Sequence, residues 1–220
     1  MNKKVTDNTK LFTTSIVSLT ILFFVLVGLI VNNITLPIDL EIYRIIISLY
    51  SEFRTEVFIT FTTIWGTYWV IFITLIVTTL LILKKKYIKY ALMVLFNPVF
   101  IYIINEVIKA IIQRPRPNIF RIIPETWYSF PSWHTMQAVA LYWLIIILSS
   151  QFIKYKWLRI IIYTISLIMI LWIATSRIYL GVHYFSDIVW WIIVSTICLI
   201  TTKHFIFKKR GCIANSLNNP

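Results

Sequence analysis

Stretches of apolar residues alternate with short polar segments along the whole chain, and the length of each stretch predicts a helix that spans a membrane. At about 1.5 Å per residue, roughly 20 apolar residues cross a hydrocarbon core of about 30 Å. Six stretches approach or exceed this length, at residues 11–31, 57–83, 90–112, 135–153, 157–175 and 183–202. Between the first two, residues 40–53 mix apolar and charged positions, which indicates a short helix lying at the membrane interface. The pattern therefore predicts one all-α, polytopic membrane domain over residues 1–220.

The composition excludes a soluble globular domain. Of the 220 residues, 59% are hydrophobic and 13% are charged, and the mean hydropathy is +0.83, which is typical of a chain whose solvent is mostly lipid. The formal net charge of +13 raises nucleic acid as a partner, but the cations lie in short runs between apolar spans rather than on one soluble face. Anionic lipid headgroups are the predicted partner, nucleic acid is not, and no oligomeric state is predicted. The two cysteines, Cys198 and Cys212, have neither a disulfide spacing nor a metal-ligand spacing.

The distribution of basic residues predicts the orientation of the spans. Most of the 21 lysines and arginines lie before the first span, after the second, between the fourth and fifth, and after the sixth. Because cytoplasmic loops carry the excess of lysine and arginine, we expect a multi-pass protein of the cell membrane with both termini in the cytoplasm. The other connections, which hold the remaining polar blocks, are predicted to face the extracytoplasmic side.

The stretch at residues 176–187 concentrates an arginine, a histidine and an aspartate in a very apolar chain. If the chain is helical from His183 onward, Asp187 lies one turn away on the same face, where its carboxylate can hold one ring nitrogen and free the other. Gly181 permits a turn that folds Arg177 back toward the same imidazole. A local hydrogen-bonded pair without further function is the alternative interpretation of His183 and Asp187.

Two further polar blocks lie at the same predicted membrane face, at residues 109–117 and 131–134. The first block ends the third span with three cations, and the second opens the fourth span with His134. Arg177 follows the fifth span, and His183 opens the sixth. Because these span ends all reach one membrane face at similar depth, we expect them to form a single pocket at the outer interface.

This pocket would combine several cations with two histidines and one committed carboxylate. Such a set favours a polyanionic ligand, and phosphate matches the forked geometry of arginine. A divalent metal is the rival ligand, but metals prefer carboxylates and neutral imidazoles, and neighbouring cations oppose a second positive charge. We therefore predict a phosphate site that uses no metal and no cofactor.

Phosphoryl transfer offers a role for each residue type in the pocket. His183, held by Asp187, can attack phosphorus to form a phosphohistidine, while the cations neutralise the equatorial oxygens. His134 can donate a proton to the leaving oxygen and later take a proton from the water that hydrolyses the intermediate. Ser132 and the backbone N–H groups of residues 132–134 can donate hydrogen bonds to the same oxygens.

Three blocks resemble, in order and spacing, the signature of the type 2 phosphatidic acid phosphatase superfamily: Lys-x6-Arg-Pro at 109–117, Pro-Ser-x-His at 131–134 and Ser-Arg-x5-His-x3-Asp at 176–187. The integral-membrane branch of this family consists of metal-independent lipid phosphatases with six helices and an active site at the outer face. By matching position, the resemblance implies His183 as nucleophile, Asp187 as its orienter, and His134 as general acid and base. It also implies four phosphate ligands, namely Lys109, Arg116, Ser132 and Arg177.

Three more residues are candidates for the site. Arg114 lies in the same Arg-Pro-Arg-Pro run but not at the signature position, so an interfacial charge and a phosphate contact are both open. Glu106, one turn before Lys109, either positions that lysine through an ion pair or takes a direct part in the pocket. Trp133 stands where the family has glycine, and it is strained if this position needs a positive φ. Otherwise its indole narrows the mouth of the pocket or lies against a lipid tail.

The resemblance implies a lipid phosphatase that removes the terminal phosphate of an outer-leaflet lipid. Undecaprenyl pyrophosphate, phosphatidylglycerophosphate and phosphatidic acid are the expected substrates. A lipid-linked phosphotransferase, in which a hydroxyl group replaces water as the acceptor, is the second hypothesis. A membrane protein that binds anionic headgroups but is catalytically impaired by Trp133 is the third.

Overall fold

The computed structural model describes residues 3–64, 66–84, 87–197 and 200–201, and no strand occurs among them. The helices are α1 (Lys3–Val31), α2 (Leu36–Ile47), α3 (Glu52–Ile64), α4 (Thr67–Ile82), α5 (Ile88–Ile112), α6 (Trp133–Phe152), α7 (Lys156–Tyr179) and α8 (Phe185–Ile197). The predicted all-α class is therefore confirmed for the described part of the chain.

Five helical stretches are long and apolar enough to cross a membrane: Leu11–Val31 within α1, Glu52–Ile82 formed by α3 and α4, and the whole of α5, α6 and α7. Large apolar side chains on these helices, such as Phe24, Leu80 and Phe100, remain exposed on the outside of the bundle, as expected where lipid is the solvent. Helix α8 is apolar but shorter, and the end of the expected span at 183–202 lies outside the described residues. The protein is a multi-pass membrane protein, and the sixth crossing stays a prediction.

The segment between the first two spans differs from the predicted single helix at residues 40–53. Helix α2 begins earlier, at Leu36, where Pro37 suits the first turn of a helix, and it ends at Ile47. The chain then turns, with the amides of Leu49 and Tyr50 donating to carbonyls in the last turn of α2, before α3 begins at Glu52. The second span consequently starts five positions earlier than residue 57 and is interrupted at Gly66.

Helices α6 and α7 extend past the predicted span boundaries at the end that carries the polar blocks. Helix α6 begins at Trp133 rather than at residue 135, so His134 lies in its first turn. Helix α7 continues to Tyr179 rather than ending at residue 175, so Arg177 lies within its last turn. A buried arginine is tolerated there because its Nη2 donates to a carboxylate oxygen of Glu125 at 2.9 Å, a long-range partner that the local pattern does not reveal.

Helix α6 is the most buried of the spanning helices, and it packs mainly against α7 and α5. The largest core cluster surrounds Phe130, Met136, Trp190 and Trp191, and the two tryptophan rings meet edge to face at 4.8 Å. This cluster fixes the start of α6 against α8. The polar segments that precede these two helices are therefore held on a rigid base.

The connection from residue 113 to 132 folds back over the end of the bundle. Gln113 adopts a left-handed conformation (φ 49°) that ends α5, and the prolines that follow cannot continue a helix. The amide of Ile122 donates to the carbonyl of Leu180 at 3.1 Å. Gly181, with φ +72°, lies so close to this loop that a Cβ atom there would collide with the Phe120 carbonyl oxygen.

We expect Gly181→Ala to destabilise the protein, because an L-residue in the left-handed region costs about 1–2 kcal/mol and the added methyl group would also displace the loop. The midpoint of thermal unfolding in detergent measures the effect. Gly28→Ala is the matched control, since a Cβ there has no neighbour within 4 Å and alanine favours a helix interior. Equal midpoints for the two variants would contradict the prediction.

Candidate active site

A cavity of about 210 Å³ opens at the end of the bundle where the three polar blocks meet. It brings together residues from α5, the 113–132 loop, α6, α7 and the turn before α8. Its lining consists of Tyr102, Glu106, Lys109, Arg116, Glu125, Trp127, Trp133, His134, Arg177 and His183. Both histidines of the polar blocks and three of the four expected phosphate ligands therefore face one space.

Three of the polar side chains in the cavity come from helix ends. Lys109 projects from the last turn of α5, His134 from the first turn of α6, and Arg177 from the last turn of α7. The first N–H groups of a helix lack intrahelical partners and favour nearby anions, and α6 points this end at the cavity. The arrangement suits a negatively charged ligand.

The break between α3 and α4 gives His134 its position. Gly66 lies against the imidazole ring, and a Cβ there would be 3.1 Å from Cδ2 of His134 and would collide with the Thr62 carbonyl oxygen. A residue without a side chain is needed for this close approach. The interruption of the second span thus packs backbone directly against a histidine of the cavity.

His183 is held from behind through one ring nitrogen. Its Nδ1 lies 2.6 Å from the carbonyl oxygen of Ser129 and 3.6 Å from Oδ2 of Asp187. Since a carbonyl can only accept, the short contact assigns the proton to Nδ1 and leaves the lone pair on Nε2. Nη1 of Arg116 lies 3.4 Å from that Nε2. Asp187, expected as the orienter of this imidazole, is close to it but is not the nearest acceptor.

Burial lowers the pKa of His183 from its usual value near 6.5 to about 4, with the nearby guanidinium groups of Arg177 and Arg116 acting in the same direction. The nearby carboxylate of Asp187 opposes the shift. The imidazole is therefore neutral at pH 7, the state in which Nε2 can act as a nucleophile.

Arg116 and Arg177 share a carboxylate that the sequence did not single out. Glu125 Oε1 accepts from Nη2 of Arg177 at 2.9 Å, and its Oε2 lies 3.6 Å from Nη2 of Arg116. Arg116 is further fixed by the Val182 carbonyl, which accepts from Nη1 at 2.8 Å. Glu125 therefore lies in the position where an anionic ligand would meet both guanidinium groups.

Ser132 and Arg114 lie outside the lining of the cavity. Ser132 is buried at the N-cap of α6 and its hydroxyl is 3.0 Å from that of Thr135. Arg114 is also buried and forms ion pairs with Asp39 and Asp187. The interfacial-charge interpretation of Arg114 is thus wrong, and the cation serves the protein interior.

Glu106 and Lys109 both line the cavity, but within the described residues no carboxylate lies within 4.0 Å of the Lys109 ammonium. The expected ion pair between them is not formed. The Lys109 side chain is nearly buried, so its charge remains directed at the cavity.

Trp133 occupies its position without backbone strain. It is the first residue of α6, and among described residues other than glycine only Asn33 and Gln113 have a positive φ. The indole Nε1 donates to the hydroxyl of Thr67 at 3.2 Å, and the ring meets Tyr102 edge-on with 5.3 Å between centroids. Trp133 is therefore an aromatic wall of the cavity rather than a source of distortion.

Three residues of the site were not identified from the sequence, and only two of them carry even a weak signal in it. Glu125 is an acid in a loop otherwise rich in cations, and Asp39 is an acid among apolar residues at the start of α2. Ser129 contributes a backbone carbonyl, for which the residue type gives no signal. Among the described residues, no group of three or more His, Cys, Asp and Glu side chains is arranged to hold a metal ion.

The fold and the cavity define the class as multi-pass membrane proteins whose helix ends surround a cavity lined by cations and histidines. The chain belongs to the PAP2 superfamily, whose family profile matches residues 86–211.

The relatives of known identity agree with this assignment. Phosphatidylglycerophosphatase B of Bacillus subtilis (strain 168) is 31% identical over 87 residues, which are 39% of this chain and 43% of that protein. The match thus spans less than half of the relative's length. The crystal structure of a transmembrane PAP2-type phosphatidylglycerolphosphate phosphatase from Bacillus subtilis has a TM-score of 0.79, with 24% identity over 88% of this chain and 96% of that one. LpxE of Aquifex aeolicus has a TM-score of 0.58, with 22% identity over 74% and 94%. These two structures share the fold of this chain.

We expect the His183 ring to stay neutral until the pH falls to about 4. Because its pKa is lowered in the folded state, the stability it contributes is present above the usual pKa near 6.5 and is lost as the pH falls from there toward 4. Nitrogen-15 chemical shifts of the histidine ring, followed between pH 8 and 4, measure this directly. A midpoint near pH 6.5 would contradict the structure of the site.

We expect Glu125→Gln to strengthen the binding of vanadate or orthophosphate, because the variant removes a carboxylate that competes for Arg116 and Arg177. A partly exposed ion pair contributes about 1 kcal/mol, which corresponds to a gain in affinity of about fivefold. Isothermal titration calorimetry in detergent measures the change. Glu41→Gln is the control, because Glu41 pairs only with the exposed Arg44 at the surface, and an equal gain in both variants would rule out direct competition.

Proposed function

We propose that this protein is a membrane lipid phosphatase that removes the terminal phosphate of an outer-leaflet lipid through a phosphohistidine on His183. The observation that carries the proposal is the convergence of two histidines and three cations on one cavity. Nε of Arg177 supports it further, since this buried donor has no hydrogen-bond partner among the described residues. A phosphate oxygen would satisfy such a donor.

In the first step, the lone pair of His183 Nε2 attacks phosphorus and the bond from phosphorus to the leaving oxygen breaks. His134 carries a proton once the phosphate anion is bound beside it and gives that proton to the leaving oxygen, so the lipid product leaves as an alcohol or as a shorter phosphate. Lys109, Arg116 and Arg177 stabilise the charge on the transferred phosphoryl group. The proton stays bonded to Nδ1 of His183 throughout and is donated to the Ser129 carbonyl, because that contact is made on the side of the ring opposite Nε2.

In the second step, water attacks the phosphohistidine and the bond between nitrogen and phosphorus breaks. His134, now neutral, takes the proton from water, and orthophosphate leaves. The cycle restores both imidazoles without an added metal. The N–H groups at the start of α6 retain their proposed role as donors to the phosphate, because they lie at the unpaired end of the helix. Ser132 lies outside the cavity lining, and it would donate to the phosphate only if its hydroxyl left Thr135.

The walls of the cavity suit an amphiphilic substrate. Tyr102, Trp127 and Trp133 supply aromatic surface beside the cations, and such rings favour the boundary between headgroup and acyl chain. Phosphatidylglycerophosphate becomes the first substrate to test, because one relative is named phosphatidylglycerophosphatase B. Undecaprenyl pyrophosphate and phosphatidic acid are the other two candidates.

The excess of basic residues on the opposite side supports an extracytoplasmic site with both termini in the cytoplasm. The residues of the cavity come from the end of α5, the start of α6, the end of α7 and the turn before α8. In a bundle of alternating spans, these ends share one membrane face. A site on this face would act on lipid of the outer leaflet.

We expect the purified protein to release orthophosphate from at least one of the three lipids in detergent containing EDTA, and we expect His183→Ala to abolish the release. The loss should exceed about a thousandfold, the size typical of removing a nucleophile. Phosphate release and acid-labile, base-stable phosphoenzyme are both measured. Glu41→Gln, a change at an exposed position on α2, serves as the control and should retain wild-type rates.

Release that persists in His183→Ala would contradict the phosphohistidine route. Release that requires a divalent metal would contradict metal independence. Transfer of the phosphoryl group to added glycerol in preference to water would instead favour a phosphotransferase.

A further inference from the structure

The carboxylate of Asp39 on helix α2 faces the protein interior, although the other charged side chains of this helix face outward. Glu41 and Arg44 are exposed and pair with each other at 3.5 Å. Asp39, by contrast, is only 1% exposed. An ionised carboxylate is buried to this extent only when cations or N–H groups surround it. The partners of Asp39 therefore indicate which part of the protein it stabilises.

The partners of Asp39 belong to the two segments that flank the cavity. Nη2 of Arg114 lies 2.8 Å from its Oδ2, the amide of Ser186 donates to its Oδ1 at 2.8 Å, and the Ser186 hydroxyl donates to its Oδ2 at 2.6 Å. Ser186 lies in the first turn of α8, three residues after His183. Asp39 therefore joins α2 to both the 113–132 loop and the start of α8.

The guanidinium of Arg114 connects Asp39 to Asp187. Its Nη2 binds Asp39 and its Nη1 binds Oδ1 of Asp187, while Cζ lies 4.1 Å from the centre of the Tyr184 ring. Burial alone would lower the pKa of Arg114, but the two carboxylates outweigh it and raise the pKa, so the group stays charged. Because the guanidinium is planar, anchoring one nitrogen also fixes the direction of the other.

Asp187 is in turn placed behind the reacting imidazole. Its Oδ1 is taken by Arg114, and its Oδ2 accepts from the amide of Tyr184 at 2.9 Å and lies 3.6 Å from Nδ1 of His183. The backbone of Arg114 acts on the same nitrogen by a second route. Its carbonyl accepts from the amide of Ser129 at 2.9 Å, and the carbonyl of Ser129 is the short partner of Nδ1.

We propose that Asp39 is a positioning residue of the active site, which acts through Arg114 to fix Asp187 and the Ser129 carbonyl behind the His183 imidazole. The inference rests on the proposed phosphatase reaction. Within the described residues, the polar partners of the Asp39 carboxylate are Arg114 and Ser186, and neither belongs to the cavity lining. Asp39 should therefore control the rate of attack by Nε2 rather than the affinity for phosphate.

The competing explanation is that Asp39 merely anchors α2. Tyr43 allows the two to be separated, because it lies one turn further along the same helix, is 2% exposed, and donates its hydroxyl to the carbonyl of Phe120. Tyr43→Phe removes an anchor between α2 and the same loop without touching the Asp39–Arg114–Asp187 chain.

The experiment compares Asp39→Asn with Tyr43→Phe in the full chain, using the lipid that the wild type hydrolyses best. We expect Asp39→Asn to lower kcat by about tenfold or more, the size typical of groups that orient a reacting residue from behind. Its KM and its affinity for vanadate should stay within about twofold of wild type. Tyr43→Phe removes one hydrogen bond between α2 and the loop, and it should lower the thermal midpoint while leaving kcat nearly unchanged. Ser186→Ala keeps all three charges while removing the hydroxyl that donates to Asp39 and accepts from Nη1 of Arg114 at 2.8 Å, and should give a smaller loss of kcat.

Proton NMR provides a readout that does not require turnover. A short hydrogen bond such as that from Nδ1 of His183 to Ser129 gives a strongly downfield resonance. Asp39→Asn should shift or broaden this resonance, and Tyr43→Phe should not. If Asp39→Asn does not fold, Ser186→Ala carries both the kinetic and the NMR test.

Equal kcat in Asp39→Asn and wild type would overturn the inference. So would losses of kcat that follow the thermal midpoint in all three variants, or a loss of vanadate binding in Asp39→Asn alone. Absence of turnover in the wild type would instead refute the proposed function, and the NMR comparison would then decide separately whether Asp39 fixes the imidazole.

Discussion

Two carboxylates and one guanidinium lie together with almost no exposure to solvent, and the geometry around Nδ1 of His183 depends on their mutual neutralisation. Arg114 is 5% exposed, while Asp39 and Asp187 are 1% and 0% exposed. Removing one partner from a buried pair costs about 3–5 kcal/mol, so none of the three side chains is stable in this place alone. Helix α2, the 113–132 loop and the start of α8 must therefore come together for any of them to be buried. This requirement connects the N-terminal part of the chain to the C-terminal part across the end of the bundle.

Five of the six spans and the convergence of the three polar blocks were predictable because lipid imposes a simple rule. Backbone groups in a hydrocarbon core must be paired internally, so long apolar stretches become helices, and alternate helix ends share a face. Lys109, His134, Arg177 and His183 meet in one cavity for this reason. The break at Gly66 was not predictable from the apolar pattern, because it arises from close packing against the His134 ring.

The contacts made by the 113–132 loop could not be derived from the sequence. This segment has no helical or strand period, so nothing in its pattern indicates that Glu125 reaches Arg177, or that Arg114 turns inward to Asp39 and Asp187. A carboxylate near a membrane interface is expected to face water unless it has a buried partner. For Asp39 that partner is Arg114, which lies 75 positions away in the sequence. The sequence around Trp133 did not determine its backbone φ angle. In the structure Trp133 is the first residue of α6 and has no positive φ, so it carries no left-handed backbone strain.

The support of the His183 ring shows a similar gap between motif and geometry. The spacing of His183 and Asp187 suggests a carboxylate bound to the ring, but the nearest acceptor of Nδ1 is the Ser129 carbonyl at 2.6 Å. A carbonyl is independent of the residue type that supplies it, so the sequence carries no trace of the contact. The tautomer is thus determined by the backbone of the loop, and Asp187 adds negative potential at 3.6 Å.

Glu125 gives the cavity its own tethered counter-ion. A group held on a loop has an effective concentration that bulk dilution does not change, so an incoming anion must outcompete a resident carboxylate rather than displace water. Small anions that offer charge alone are disfavoured by this competition, whereas a ligand that also covers the aromatic walls gains additional free energy. The same competition acts on an orthophosphate ion left in the cavity, because the Glu125 carboxylate can form its ion pairs with Arg116 and Arg177 again and so favour release of the ion. The loop therefore supplies a carboxylate that partly offsets the charge of Arg116 and Arg177, both before a ligand binds and after it leaves.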